Sequence, residues 1–184
     1  MGTEPVPAKT AGQGAPGTDQ GADFDQLLRD LSHRVWEVRR NACEELGSLA
    51  DQRAVPPLIR LLNDPVGAVR FAAAEALGRL GDRSAVPALL ALLDNPVFGA
   101  YGPVIDALAS LRAQQAIPAF IRFLRDQDPR VRSLAANALM VMTRQFISFK
   151  AKAAVEERNA AIAQWEAWWE KNKNTILKSA AGQK

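Results

Sequence analysis

Residues 64–94, DPVGAVRFAAAEALGRLGDRSAVPALLALLD, form a unit that recurs along the chain and decides its fold. Val69-Arg70 matches Val38-Arg39, which lies 31 positions earlier. Ala85-Val86-Pro87 matches Ala54-Val55-Pro56 at the same spacing. A fixed period of this size is typical of a solenoid, in which stacked copies of one unit bury a continuous core. The sequence therefore predicts a repeat protein that offers an extended surface.

The apolar spacing inside each unit predicts two helices. In the first full unit, helix A covers about residues 35–49 and helix B about residues 53–63. Pro56 falls in the first turn of helix B, where a proline is tolerated because that amide has no helical partner. Gly47 and Gly78 lie near the ends of successive A helices, where close packing or a C-terminal turn excludes a side chain. The predicted fold is an all-α, right-handed solenoid of about four helical hairpins.

Changes of composition divide the chain into four segments. Residues 1–22 are rich in glycine and proline, so we expect a disordered tail. The solenoid is predicted over residues 23–142, beginning with a lone helix B that acts as the N-terminal cap. Capping helices are expected over residues 143–176, and a second disordered tail over residues 177–184.

Tryptophans mark the C-terminal segment, where the 31-residue register ends. A helix is predicted over about residues 153–171, with Trp165 and Trp169 on one face and Trp168 beside them. A terminal unit has no neighbour to cover its apolar side, and indoles bury a large area. The tryptophans are therefore predicted to form a cap, with a tryptophan-lined recognition patch as the alternative.

The unit resembles the HEAT-repeat family, specifically the short bacterial HEAT-like repeats. The resemblance rests on Asp64-x5-Arg70 and Asp126-x5-Arg132, each with valine before the arginine and an Ala-x3-Leu pattern after it. It implies that aspartate and arginine link successive units in a ladder, a structural role that falls on Asp64, Arg70, Asp126 and Arg132. It also implies that the second helices line a concave face.

The family hosts several functions, so the resemblance alone does not choose one. Most members are protein-binding scaffolds. Others resemble lyases that attach bilins to phycobiliproteins, glycosylases that act on alkylated bases, or hydroxylases with His-Glu metal pairs. We predict a non-catalytic scaffold that binds another protein or peptide through its concave face. The alternatives are a nucleic-acid binder and a bilin-lyase-like enzyme.

Catalytic and metal-binding residues are scarce. His33 is the only histidine and Cys43 the only cysteine, so the His pairs and cysteine clusters of zinc sites are excluded. Cys43 shares its register with Ala74, which places it in the core. We therefore predict no catalytic residue, no metal site and no cofactor.

Arginines form the first candidate binding site. The register aligns Arg29, Arg60 and Arg122 on the second helices, with Arg125 in the adjacent column. Such a stripe suits carboxylates, phosphates and flat polar surfaces; a plain solvated face is the alternative. The net charge of +3 and a pI near 9.3 favour nucleic acid only weakly, because the excess positive charge lies in residues 143–184.

The second candidate is an irregular loop in the third unit. Phe98 and Tyr101 lie there among glycines and prolines, and Tyr101 takes the register position of Arg70 and Arg132. Aromatic anchors on loops are typical of binding hot spots. The alternative is that the two rings fill the space left by a shortened helix.

Targeting signals are absent from the sequence as given. No apolar run approaches the ~18 residues of a membrane span, and residues 1–21 lack the pattern of a signal peptide. We therefore expect a cytoplasmic protein without membrane contact, while export after removal of a signal stays open.

Overall fold

The computed structural model describes residues 20–94 and 101–181, and within these ranges it contains helices and no strand. The α-helices are α1 (Gln20–Asp30), α2 (Trp36–Ser48), α3 (Val55–Leu61), α4 (Gly67–Leu80), α5 (Val86–Leu93), α6 (Gly102–Ser110), α7 (Ile117–Phe123), α8 (Pro129–Thr143) and α9 (Val155–Ala181). A single 3-10 turn leads directly into each of α3, α5 and α7.

The helices form two layers. The first helices of the units, α2, α4, α6 and α8, stack side by side and make the first-helix layer. The second helices, α1, α3, α5 and α7, make the second-helix layer, and each packs against the first helix that follows it. One apolar core runs between the layers from Phe24 to Trp165. The predicted all-α solenoid is confirmed.

An aspartate cap, a 3-10 turn and a proline start α3 and α5. The side chain of Asp51 accepts a hydrogen bond from the Arg53 amide, and that of Asp82 accepts one from the Ser84 amide. Pro56 then occupies the first turn of α3, as the sequence predicts. α7 has the same 3-10 turn and proline, but Ala113 stands in the place of the aspartate and supplies no side-chain cap.

Left-handed residues follow α2, α4 and α6 at one register position. Ala50, Gly81 and Arg112 have φ angles of 55°, 73° and 48°, so the chain reverses at 31-residue intervals. Gly47 and Gly78 lie one turn earlier, inside α2 and α4. Of the two roles that the sequence allows these glycines, the structure assigns them close helix packing.

The Gly47→Ala substitution is expected to destabilise the chain by about 1–3 kcal/mol, because overpacking forces helices apart. A Cβ at Gly47 would lie 2.7 Å from the Ala76 Cα, which is backbone and cannot turn aside. Gly67→Ala is the control, since its Cβ would meet only the flexible Arg70 side chain at 3.5 Å. Urea denaturation of both variants tests the contact. A Gly47→Ala protein as stable as wild type would show that α2 and α4 do not pack this closely.

The predicted ends of the ordered chain need correction. α1 begins at Gln20, so residues 20–22 of the predicted tail are helical, and α9 continues through residues 177–181. The continuation has a simple cause, because α9 contains neither proline nor glycine. Residues 144–154 hold no helix, so the predicted capping segment contains one helix, α9. The remainder of both predicted tails, residues 1–19 and 182–184, lies outside the described residues.

Candidate functional site

The exposed face of the second-helix layer carries the predicted arginine stripe. Arg29, Arg60 and Arg122 are exposed at equivalent positions of α1, α3 and α7, and Ala91 takes this position in α5. The helices place these side chains in one column because residues that are one unit apart lie side by side in a solenoid.

An apolar column lies beside the arginines. Leu28, Ile59 and Leu90 are half-buried and pack against the core, whereas Ile121, the equivalent residue in α7, is only 5% exposed. The difference coincides with α9, which packs against α7 and not extensively against any other second helix of the described chain. Among the described residues, the apolar column is therefore least covered over the first three second helices.

Ion pairs occupy the C-terminal part of the stripe. The Arg122 guanidinium lies 2.7 Å from the Asp94 carboxylate, and that of Arg125 lies 2.9 Å from the Glu166 carboxylate on α9. All four side chains are largely exposed, so each pair adds little stability. Their effect is on charge, because the carboxylates reduce the positive potential around α7.

The N-terminal part of the stripe keeps its charge. Arg29 donates hydrogen bonds only to the neutral side chain of Gln26, and Arg60 has no side-chain partner among the described residues. We call Leu28, Arg29, Ile59, Arg60 and Leu90 the open strip. It combines partly exposed apolar groups with two arginines, a composition that is common at protein interfaces.

The ladder predicted from the resemblance has one complete ionic step in the described chain. Arg39 donates two hydrogen bonds to Asp64, from Nε to Oδ2 at 2.7 Å and from Nη2 to Oδ1 at 2.9 Å. Both side chains are nearly buried, at 12% and 6% exposed. Sequence reasoning assigned Asp64 to the ladder and missed Arg39, although the repeat of Val38-Arg39 was the signal that could have found it.

Electrostatics support this step. Burial acts to raise the pKa of Asp64. Hydrogen bonds from Arg39 and the Val66 amide outweigh this effect, together with the positive charges of Arg39 and Arg70, so the pKa lies below its ordinary value. The hydrogen bond to Asp64 likewise raises the pKa of Arg39. The pair is therefore charged and joins the first two full units.

The other ladder residues make backbone contacts. Arg70 donates to the carbonyl oxygen of Asp64 at 2.8 Å, and Arg132 donates to that of Asp126 at 2.7 Å, so each arginine ties its helix to the preceding loop. Arg132 also donates to the Ala151 carbonyl oxygen at 2.8 Å, where no further unit follows. The Asp126 side chain accepts from the Asp128 amide at 2.8 Å.

The irregular loop is described only in part. Tyr101 is half-buried, and its ring centroid lies 4.8 Å from that of Phe123 in the core. This contact favours the space-filling alternative for Tyr101. Phe98 lies outside the described residues.

The tryptophans of α9 differ in burial. Trp165 is fully buried, whereas Trp168 and Trp169 are half-buried. Trp168 meets Trp165 edge-on, with ring centroids 5.9 Å apart. α9 packs against α7 and the turn before it, which places Trp165 at the end of the core as a cap requires.

Reactive groups are few in the part of the chain that the structure describes. Cys43 is fully buried, and burial raises the pKa of its thiol to about 12, so it carries no thiolate near neutral pH. His33 Nδ1 accepts a hydrogen bond from the Val35 amide in a turn. Over residues 20–94 and 101–181, no group of three or more His, Cys, Asp and Glu residues is arranged to hold a metal ion.

None of the helices described has the length and hydrophobicity needed to cross a membrane.

Two stacked layers of helices with a 31-residue register define an α-solenoid repeat protein. A family model described as HEAT repeats matches residues 24–99, and a second, HEAT repeat, matches residues 116–146. The chain belongs to the HEAT-repeat family. Repeat scaffolds of this family serve protein interaction.

Solved structures show the same fold. The complex of CpcE and CpcF of phycocyanin lyase from Nostoc sp. PCC7120 contains a chain that is 30% identical, with a TM-score of 0.62 over 79% of this chain and 71% of that one. Two engineered proteins also match. One is 20% identical, with a TM-score of 0.54 over 78% of this chain and 68% of that one. The other is 18% identical, with a TM-score of 0.52 over 79% of this chain and 70% of that one. The search of curated proteins finds no match.

Proposed function

We propose that the chain is a non-catalytic scaffold that binds another protein through the open strip on its second-helix layer. The main observation behind this proposal is that Arg60 is exposed and has no ion-pair partner among the described residues. It lies beside Ile59 and Leu90, which are half-buried. Arginine is among the residues that contribute most of the binding energy at protein interfaces, and the contacts around such a residue exclude water. By the family resemblance this layer is the concave face, which suits a helix, a peptide or a compact domain.

Two further observations support a protein partner over nucleic acid. Arg122 and Arg125 are paired with Asp94 and Glu166, so the positive charge is confined to the N-terminal half of the stripe. The similar phycocyanin lyase structure is a complex of two proteins. In the proposed complex the arginines donate bidentate hydrogen bonds to carboxylates of the partner, while Ile59 and Leu90 bury apolar surface.

Reversing the charge of the open strip tests the proposal. The Arg29→Glu/Arg60→Glu variant is expected to bind the partner recovered from the source cells at least about tenfold more weakly, since one interface hot spot contributes about 2 kcal/mol. Arg130→Glu, an exposed arginine at the start of α8, is the control for charge and should bind like wild type. Isothermal titration with the purified partner measures both.

Unchanged affinity of the double variant would place the binding site elsewhere. Binding to single-stranded or duplex nucleic acid that weakens steeply with salt, and is lost in the same variant, would instead support the nucleic-acid alternative.

The similarity to the phycocyanin lyase structure favours a second candidate, a bilin-lyase-like activity. Covalent carriage of a bilin on this chain is disfavoured, because the thiol of Cys43 is fully buried. A lyase of this kind would hold the bilin by noncovalent contacts while it is transferred to a biliprotein. The discriminating measurement is bilin transfer to a phycocyanin subunit in the presence of this chain.

A further inference from the structure

A groove lies at the N-terminal end of the first-helix layer, away from the open strip. It is bounded by α1, α2 and α4 and has a volume of about 970 Å³. Its apolar floor contains Leu27, Val38, Ala42 and Leu49. The groove opens where the stack of first helices begins.

The register shows what normally covers this face. α4, α6 and α8 each pack against the first helix of the preceding unit, whereas the described helix before α2 is α1, a second helix. Leu80 in α4 and Leu111 after α6 are 6% and 4% exposed, but the equivalent Leu49 is 45% exposed. The floor of the groove is therefore a helix-packing face without its helix among the described residues.

One substitution in the repeat gives this face a different chemistry. Ala76 and Ala107 are buried where successive first helices approach closely, and Ala138 is buried at the same register position. The equivalent residue in α2 is Glu45, which is exposed and lines the groove. A carboxylate there prevents the tight packing used inside the stack and instead presents a negative charge.

The rim of the groove is acidic as a whole. Five carboxylates line it against one guanidinium, that of Arg79. The carboxylates belong to Asp23, Asp30, Glu44, Glu45 and Glu75. Glu44 lies 3.4 Å from Arg40, so part of its charge is balanced, while Glu45 and Glu75 have no ion-pair partner among the described residues.

We propose that this groove binds a basic amphipathic helix of a partner protein, lying where the first helix of a preceding unit would lie. The apolar floor takes the apolar face of that helix, as grooves that bind helices do. The acidic rim pairs with lysine or arginine on its flanks, which gives the site selectivity and a fast rate of association. This surface is separate from the open strip and would add a second binding site to the scaffold.

Segments of the chain itself match the groove less well. Residues 1–19 contain one lysine, two acidic residues and three prolines, which is not the sequence of a basic amphipathic helix. The end of α9 carries Lys171, Lys173 and Lys178, but Lys173 pairs with Glu170. A partner helix with more positive charge fits the five carboxylates better than either segment.

The test uses a labelled peptide with the sequence of α2, because α2 is the helix that covers the equivalent face of α4 inside the stack. The peptide carries the substitutions Glu37→Lys, Glu44→Lys and Glu45→Lys, which make it basic. Fluorescence anisotropy should show that the full chain binds this peptide. The Glu45→Lys/Glu75→Lys variant of the chain should bind it at least about tenfold more weakly. The matched control, Glu156→Lys/Glu170→Lys, reverses two exposed charges on α9 and should bind like wild type.

Three results would overturn the proposal. The first is that a peptide of the same composition in scrambled order binds as tightly as the α2 copy, or that the Glu45→Lys/Glu75→Lys variant binds the α2 copy as tightly as wild type does. Either result would mean that only nonspecific charge attraction holds the peptide. The second is tighter binding, by about tenfold or more, after deletion of residues 1–19, which would make the chain's own N-terminal segment the occupant. The third is concentration-dependent sedimentation that Glu45→Lys abolishes, which would make a second copy the occupant.

Discussion

Replacing Trp165 with alanine is expected to lower the free energy of unfolding by about 3–5 kcal/mol, the range for removing a buried aromatic side chain. Trp165 is fully buried, at the end of the core where no further unit follows. Its loss leaves a cavity between α9 and α7 and exposes the last unit to water. Urea denaturation followed by circular dichroism measures the effect without relying on tryptophan fluorescence.

Two controls separate this packing from other roles of the indole. No described residue accepts a hydrogen bond from the Trp165 Nε1–H, so Trp165→Phe loses only apolar area and should cost about 1–2 kcal/mol. Trp169→Ala removes a half-buried ring and should cost less than Trp165→Ala. Equal and small losses at both positions would contradict the role of α9 as a cap and favour the recognition-patch alternative.

Arg39→Ala is expected to destabilise the chain by about 3 kcal/mol, the low end for a broken buried pair, because the Asp64 carboxylate loses its ion-pair partner but keeps the hydrogen bond from the Val66 amide. The Arg39→Ala/Asp64→Ala double variant removes both charges and should recover part of that loss. The comparison is a double-mutant cycle, measured by urea denaturation at neutral pH. Additive losses would show that the two side chains do not stabilise each other.

The same pair has a defined pH dependence. The folded-state pKa of Asp64 lies below the unfolded value of about 3.9, so its carboxylate contributes stability above roughly pH 4. That contribution is lost as the pH falls through the lowered folded-state pKa. Between about pH 5 and pH 2, the wild type should therefore lose more stability than the double variant.

The repeat predicted most of the fold because its signals are local. The proline in the first turn of α3, α5 and α7 and the 31-residue spacing of the core positions are visible in one sequence, and the structure follows them. The left-handed turns at Ala50 and Arg112 were not predictable, since only Gly81 carries the usual residue for that conformation. The continuation of α9 beyond residue 176 was missed because the repeat register, which guided the other boundaries, ends before it.

The candidate site was less predictable, because pairings between units decide which arginines keep their charge. Arg122 and Asp94 are 28 positions apart, and the register alone does not reveal that their side chains meet. Glu166 reaches Arg125 from α9, a helix outside the repeat, so no spacing rule indicates that pair. The exposed face of α2 follows from the lone helix B that the sequence predicts, but the carboxylates that α1, α2 and α4 bring together there become apparent only in the structure.

The small-residue contact between first helices has a consequence for how such a chain changes length. The pair Gly47–Ala76 joins α2 to α4 in the same way as Gly78–Ala107 joins α4 to α6. A duplicated copy of residues 64–94 would therefore meet compatible surfaces on both sides. Insertion of whole units after residue 94 needs no new core. The length of the scaffold can therefore diverge between relatives while the groove bounded by α1, α2 and α4 and the helix α9 stay unchanged.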